Sequence, residues 1–371
     1  MKADGKRRAE RRLAVVLARR LGQWGLSGKR IVGQSPGPVI PTYSILTMND
    51  RHQDMSMSKD AGPVVVLFGG GGFLGRTVAQ ELFARGCRVR IAQRAPRQAY
   101  TVRALGGLGC TQFAACDISK PDQVARVLEG ASAAVNLVGI LTGNMKAAHV
   151  TGAQNIAEAA ASAGLGALVQ VSALGADPDS DSNYGRTKGE GEAAVRAAFP
   201  NATIVRPSLI FGRDDGLTNR FAGMITSTKV VPIVRGATKF QPAHVSDVAR
   251  AIAMAATDPK TFGGQTYELG GPDVISMSEL LRWIAEQVGR APSFLPVPDP
   301  AAKLLATLTG WAPGAPITLD QYKMLLNDNV VGAGAKGFAE FGIRPAPLAA
   351  LAPAWLLRYR KHGRFAKTVS A

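Results

Sequence analysis

The sequence predicts an α/β fold, a doubly wound parallel sheet with a smaller C-terminal part. Three observations carry this. An apolar run, Val64–Phe68, leads into four glycines and then a helical pattern. From residue 63 short strand patterns and helical patterns alternate. Tyr184 and Lys188 stand four apart, downstream of a strand that delivers Ser172.

Five consecutive apolar residues read as a strand buried on both faces. Gly69, Gly72 and Gly75 then give the spacing G-x-x-G-x-x-G. The first glycine permits a tight turn. Missing side chains at Gly71 and Gly72 let the backbone approach a pyrophosphate, and Gly75 lets the helix pack close to the strand. The helical pattern begins at Phe73 and Leu74, so free N–H groups and a positive dipole end face the phosphates. Leu74, Val78 and Leu82 recur every four residues, and Gly86 is placed to cap the end. A strand before and a helix after make this a dinucleotide-binding loop in a Rossmann-like sheet.

The second strand, 88–93, ends at Arg94, about 20 residues past the glycines. An acidic residue there would take the ribose 2′-OH of NAD. A guanidinium suits a 2′-phosphate, which favours NADP(H) over NAD(H). Arg76 and Arg97 are nearby in sequence. A third strand, 111–115, leads to Asp117, placed to meet the adenine amino group or to cap the helix near Pro121. Strand four, 133–137, is followed by Val138 and Gly139, small enough to run beside the cofactor. A helix is expected at 151–163, and a fifth strand at 168–171 precedes Ser172. Tyr184 and Lys188 face the same way on the next helix. An ammonium near the phenol favours the phenolate and lowers its pKa. The lysine can also bond the nicotinamide ribose. Ser172 can polarise a carbonyl, and the three form a general-acid unit for hydride transfer.

With these residues in place the chain resembles the short-chain dehydrogenase/reductase superfamily in its extended or atypical branch. Val205-Arg206-Pro207-Ser208-Leu209-Ile210-Phe211-Gly212 is similar to that branch's strand and loop beside the nicotinamide. His244-Val245-Ser246-Asp247-Val248-Ala249 and Tyr267-Glu268-Leu269-Gly270-Gly271 resemble later segments. Tyr184 to Glu192, Ile210 to Asp215, Asn219-Arg220-Phe221-Ala222 and Gln241-Pro242 resemble the complex I alpha subcomplex subunit 9 family, bacterial members included. So do Leu319-Asp320-Gln321, Asp328-Asn329-Val330-Val331 and Leu356-Leu357-Arg358-Tyr359-Arg360 in the tail.

The resemblance implies a domain holding NADPH through Gly69, Gly72, Gly75 and Arg94, with Ser172, Tyr184 and Lys188 carried over as the catalytic set. It implies a largely structural nucleotide and an accessory or assembly role in the respiratory NADH:ubiquinone oxidoreductase, or a role in ubiquinone metabolism with a quinone-type small molecule. The alternative is a soluble NADPH-dependent oxidoreductase or epimerase. Two departures matter. Gly69-Gly70-Gly71-Gly72 replaces the usual Gly-Ala-Thr-Gly and reads as a more flexible loop. The stretch between Asn144 and His149 is short, which opens the site.

The remaining features bound the function classes. The chain has 371 residues, 46% hydrophobic and 19% charged, with a formal net charge of +17. Three cysteines in uneven spacing offer no disulfide framework, and four histidines argue against a histidine-rich metal site. No apolar run is long enough to span a bilayer. Residues 1–60 hold 12 basic and five acidic residues and read as a disordered basic extension, or the result of a start assigned too early. The expected domains are 61–290, with substrate-side segments at about 212–245, and a C-terminal cover over 291–371. That cover ends in Arg358, Arg360, Lys361, Arg364 and Lys367, with no acid after Trp355. No nucleic-acid module is recognisable, so such a tail suits complex I subunits or an anionic membrane surface. A cytoplasmic protein, peripheral on the inner face of the membrane, is expected. Asp214 and Asp215 read as a solvated turn, Asp247 as the cap of a helix from Val248, and Trp311 as a buried or partner-facing aromatic. After Pro292 the prolines predict short pieces without regular alternation, with short amphipathic helices at Ala301 to Leu308 and Leu319 to Leu326.

Overall fold

In a computed structural model, residues 62–309, 317–361 and 363 are described. The basic extension, Trp311, Arg364 and Lys367 lie outside them. Seven parallel strands form the central sheet: β1 (Val64–Phe68), β2 (Arg88–Gln93), β3 (Thr111–Ala115), β4 (Ala133–Asn136), β5 (Ala167–Val171), β6 (Thr203–Pro207) and β11 (Thr266–Leu269). Their order is β3-β2-β1-β4-β5-β6-β11. The order reverses between β1 and β4, so the connections leave in opposite directions and open a crevice at the C-terminal strand ends.

All five residues of β1 are buried because helices cover both faces. Val65 and Leu67 face one layer, with Val78 and Leu82 of α1 (Phe73–Ala84). Val66 and Phe68 face the other, with Val124 of α2 (Pro121–Leu128), Ile156 of α3 (Gly152–Ser162) and Val195 of α4 (Asn183–Ala198). This is the two-residue alternation of a strand read into two cores. A single π turn, Ala147–Thr151, precedes α3.

The glycine loop is packed. Gly69 takes φ +77°, and a Cβ on Gly75 would lie 2.6 Å from the Cα and carbonyl of Gly70. A Cβ on Gly70 would lie 2.7 Å from Ile91 Cδ1. The expected slack is therefore absent, since β2 and α1 close in on the loop.

Beyond the central sheet lie β7 (Ile210–Phe211), α5 (Thr218–Ser227), β8 (Val230–Val234), β9 (Lys239–Phe240), β10 (Ala243–His244), α6 (Val245–Thr257), β12 (Ile275–Ser276) and α7 (Met277–Gln287). Ile252 of α6 packs under the sheet. Phe211, Ile225, Val231, Leu280 and Ile284 make a separate core with Leu348 and Leu356. Asp215 is buried, unlike the solvated turn expected. Its carboxylate accepts from Gly212 N, Leu217 N, Thr218 N and Thr218 Oγ1 and so fixes the start of α5. Asp214 alone stays exposed, 3.7 Å from Arg76, which turns that arginine toward the substrate side. Asp247 is not a cap either. α6 begins at Val245, and Asp247 Oδ2 accepts from Ala346 N at 2.9 Å, tying down the C-terminal segment.

Regular structure also continues past Pro292. β13 (Ser293–Val297) runs parallel to β8, with Pro296 opposite Ile233 and Leu295 opposite Pro232. A two-stranded ribbon has an outer edge on each strand, so prolines can face away from the pairing. α8 (Asp299–Thr309) and α9 (Leu319–Met324) follow. Among the described residues no helix is long and apolar enough to cross a membrane.

The α1 contact yields a direct test. Gly75→Ala forces the helix off the Gly70 backbone, so it should destabilise the fold by about 1–3 kcal/mol, read as a lower urea midpoint.

Candidate functional site

The crevice collects the residues singled out by the sequence. Gly72 precedes α1, no side chain caps the helix and no acid lies in its first turn. Its first N–H groups, Phe73, Leu74 and Gly75, therefore point outward without intrahelical acceptors, as an anion site requires. Gly72 is exposed, and a Cβ there would meet only the Gly69 carbonyl, at 3.4 Å. Gly71 N is already used, donating to Gln93 Oε1 at 3.1 Å.

Gln93 is a residue that the spacing argument passes over. It is the last residue of β2, where an acid would take an adenosine ribose, and its amide also donates to Ala95 O at 2.7 Å. It thus clamps the glycine loop to the turn bearing Arg94. Arg94 is exposed, close enough to Asp117 to help hold that carboxyl below its ordinary value. The larger cause is Ser119, whose backbone N and hydroxyl both donate to Asp117 Oδ1. Asp117 therefore makes a local turn and does not cap α2, which starts after Lys120.

On the far side of the crevice, Lys188 is buried on α4 and spans two strand ends. Its Nζ donates to Val138 O at 3.3 Å and to Val171 O at 3.1 Å. One of its three protons is left for a ligand. Burial pulls the ammonium down to about 8, against the pull of Glu192. Gly139 lies beside it, a Cβ there falling 3.4 Å from Nζ. Pro207 closes β6, its carbonyl accepting from Leu174 N. Ser172 N bonds Val205 O, while its buried hydroxyl has no partner among the described residues. A buried hydroxyl left without a bond is costly unless a ligand supplies it.

Tyr184 stands one turn before Lys188, whose Nζ is 6.0 Å from the ring centroid. The lowered phenol pKa expected from that spacing is not found. Burial pushes the phenol up to about 12. The ammonium is engaged with two carbonyls, not with the phenol oxygen, which explains the outcome.

His149, in the π turn, is buried and braces this side. Its Nε2 accepts from Ile140 N at 3.0 Å, so the proton is on Nδ1, which donates to Thr187 Oγ1 at 2.9 Å. Thr187 passes its own proton to Asn183 O at 2.8 Å. The imidazole also meets Tyr184 edge-on, centroids 5.5 Å apart. Burial, and then the Lys188 charge, lowers His149 to about 4. A lone histidine in a helical pattern gives no local signal of such a role. Among the described residues no cluster of ligating side chains could hold a metal.

The His149 shift has a worked sign. The folded pKa lies below the unfolded value near 6.5, so the unfolded chain takes up the proton first. Stability should be full above pH 6.5 and fall as pH drops toward 4. Between pH 7 and pH 5 the parent should lose about 1–2 kcal/mol more than His149→Gln, measured by urea unfolding at both pH values.

Comparison with known proteins fits this geometry. Residues 65–270 match the NAD dependent epimerase/dehydratase family. The chain is 33% identical to the NADH dehydrogenase [ubiquinone] 1 alpha subcomplex subunit 9, mitochondrial, of Arabidopsis thaliana, over 84% of this chain and 82% of that protein. The subunit of the same name from Mus musculus is 31% identical, covering 84% of each chain. Among solved structures, Citrobacter sp. triphenylmethane reductase complexed with NADP(H) superposes with a TM-score of 0.63 at 19% identity, over 77% of this chain and 97% of that one. With a seven-stranded doubly wound sheet, a bare glycine-loop helix end and about 30% identity to these mitochondrial subunits over most of the chain, the chain belongs to the NAD dependent epimerase/dehydratase family, within its complex I alpha subcomplex subunit 9 group.

Proposed function

We propose that the protein holds NADPH as an accessory or assembly subunit of the respiratory NADH:ubiquinone oxidoreductase, or serves ubiquinone metabolism. The free N–H groups of α1 and the bare backbone at Gly72 would hold the pyrophosphate. Arg94 would pair with the 2′-phosphate, which selects NADPH over NADH. Asp117 would face the adenine amino group. Val138, Gly139 and Pro207 would line the nicotinamide, and Lys188 would give its remaining proton to the ribose. NADPH, when bound, supplies a hydride.

The observation that carries this reading is the likeness to alpha subcomplex subunit 9 proteins, 33% identity over 84% of the chain in the Arabidopsis thaliana case. The likeness to alpha subcomplex subunit 9 proteins over 84% of the chain supports the complex I setting. Lys361, exposed at the basic end, suits an acidic partner or an anionic membrane surface on the cytoplasmic side. Arg358 and Arg360 already donate to Arg213 O, Asn219 Oδ1 and Gln287 O.

A second reading, an NADPH-dependent reductase or epimerase, is favoured by the Ser172 hydroxyl without a partner. There Ser172 would bond a carbonyl oxygen and Tyr184 would give it a proton, with Lys188 orienting both.

Acid release from protein purified without added nucleotide, followed by mass spectrometry, should recover NADPH. A chase with excess NADP should exchange it over hours; exchange within seconds, or recovery of NAD, would sink the structural-cofactor reading. Arg94→Glu should weaken NADPH binding at least about tenfold, the loss of one charge-assisted pair. Tyr184→Phe should leave retention unchanged if the nucleotide is structural and abolish turnover if the second reading holds.

A further inference from the structure

Tyr184 is the second residue of α4, in a first turn whose N–H groups have no acceptors within the helix. Ser182 Oγ accepts from Gly185 N at 2.8 Å, as a local cap does. The two earlier amides are taken from far away in the chain. Asn183 N donates to Asp320 Oδ1 at 2.5 Å, and Tyr184 N donates to Asp320 Oδ2 at 3.0 Å. One carboxylate thus holds both donors and places its charge at the positive end of the helix. Three residues along α9, Lys323 Nζ donates to Asp181 O at 3.1 Å. Positions i and i+3 share a helix face, so α9 grips residues 181–184 with two side chains.

α9 is itself anchored. Thr318 and Gln321 form a capping box at its start, and Thr238 Oγ1 donates to Leu325 O at its end. Asp328 Oδ1 accepts from Lys239 N, and Asn329 accepts from Ser208 Oγ. The C-terminal segment is therefore bonded on one side to the substrate-side strands and on the other to the turn that carries Tyr184.

We propose that Asp320 is a positioning residue for Tyr184, its carboxylate setting the first turn of α4 so that the phenol and the C-terminal segment move together. Lys188 is held differently, by the carbonyls of Val138 and Val171 at the sheet. Loss of the Asp320 carboxylate therefore displaces Tyr184 relative to Lys188 and leaves the lysine in place. Tyr184 is held this way whether or not it transfers a proton.

Four histidines make the displacement visible by NMR of the full chain labelled at histidine. The His149 ring lies edge-on to Tyr184, so its ring signals report the position of the phenol. They are assigned by their loss in His149→Gln. Asp320→Asn keeps the shape of the side chain but turns one acceptor into a donor, which leaves one α4 amide unpaired. Its His149 signals should shift by several linewidths while those of His244 stay in place. Superimposable His149 signals would overturn the proposal. A second measurement needs no variant. In the parent protein the amides of Asn183 and Tyr184 should exchange at least about 100-fold more slowly than in an unstructured chain. Exchange at the unstructured rate would overturn it as well. Failure to recover NADPH from the parent defeats the cofactor reading and leaves both of these measurements standing.

Discussion

The structure depends on a buried ammonium. Lys188 lies in the interior, where an unbonded charge would be very costly, and it satisfies two of its protons with carbonyls at the ends of β4 and β5. Those strand ends flank the crevice, so the lysine fixes where α4 stands against the sheet. One turn on, Glu192 supplies the opposing charge and is held in turn by Arg206 at 2.9 and 2.7 Å. Arg206 reaches Glu268 on β11, and Glu268 bonds Gly332 N. A line of charges and hydrogen bonds thus runs from the crevice to the sheet edge and into the C-terminal segment. The same ammonium helps keep His149 neutral, which the Ile140 N–H bond requires.

What was legible in the sequence was local. Val64–Phe68 with Gly69, Gly72 and Gly75 needs only neighbours in the chain to become a strand, a turn and a helix end. The next four sheet strands stood out from their place in the alternation of strand and helix patterns, whereas β6 and β11 were legible only through the family resemblance. Tyr184 and Lys188 were readable because four residues make one helical turn. Asp215 and Asp247 were misread because their acceptor roles depend on which backbone amides approach them. For Asp247 that amide belongs to Ala346, almost a hundred residues on. β13 was missed because prolines normally deny a strand, and only its pairing with β8 shows that the ribbon accepts them. Gln93, His149 and Asp320 carry no pattern at all. Their roles arise from contacts at separations of 22, 38 and 137 residues.

The phenol shows how one spacing rule gives way to another effect. Proximity of an ammonium lowers a phenol pKa, but only if the charge is near the oxygen and both are not desolvated. Here burial raises the phenol to about 12 and lowers the ammonium to about 8, so a protonated phenol stands beside a lysine that still carries its charge at neutral pH. Such a pair holds hydrogen-bonding groups in fixed places at little electrostatic tension.

The C-terminal segment completes this argument. In a cofactor-holding protein the side of the crevice away from the sheet must be built from something, and here Asp320, Lys323 and Asn329 build part of it by bonding to backbone. Backbone contacts of this kind fix position. A reductase gains from a mobile segment that admits substrate and leaves with product. A segment tied down at residues 181–184, at Ser208 and at Lys239 opposes that motion. The bonding pattern of α9 therefore favours a held ligand over repeated opening.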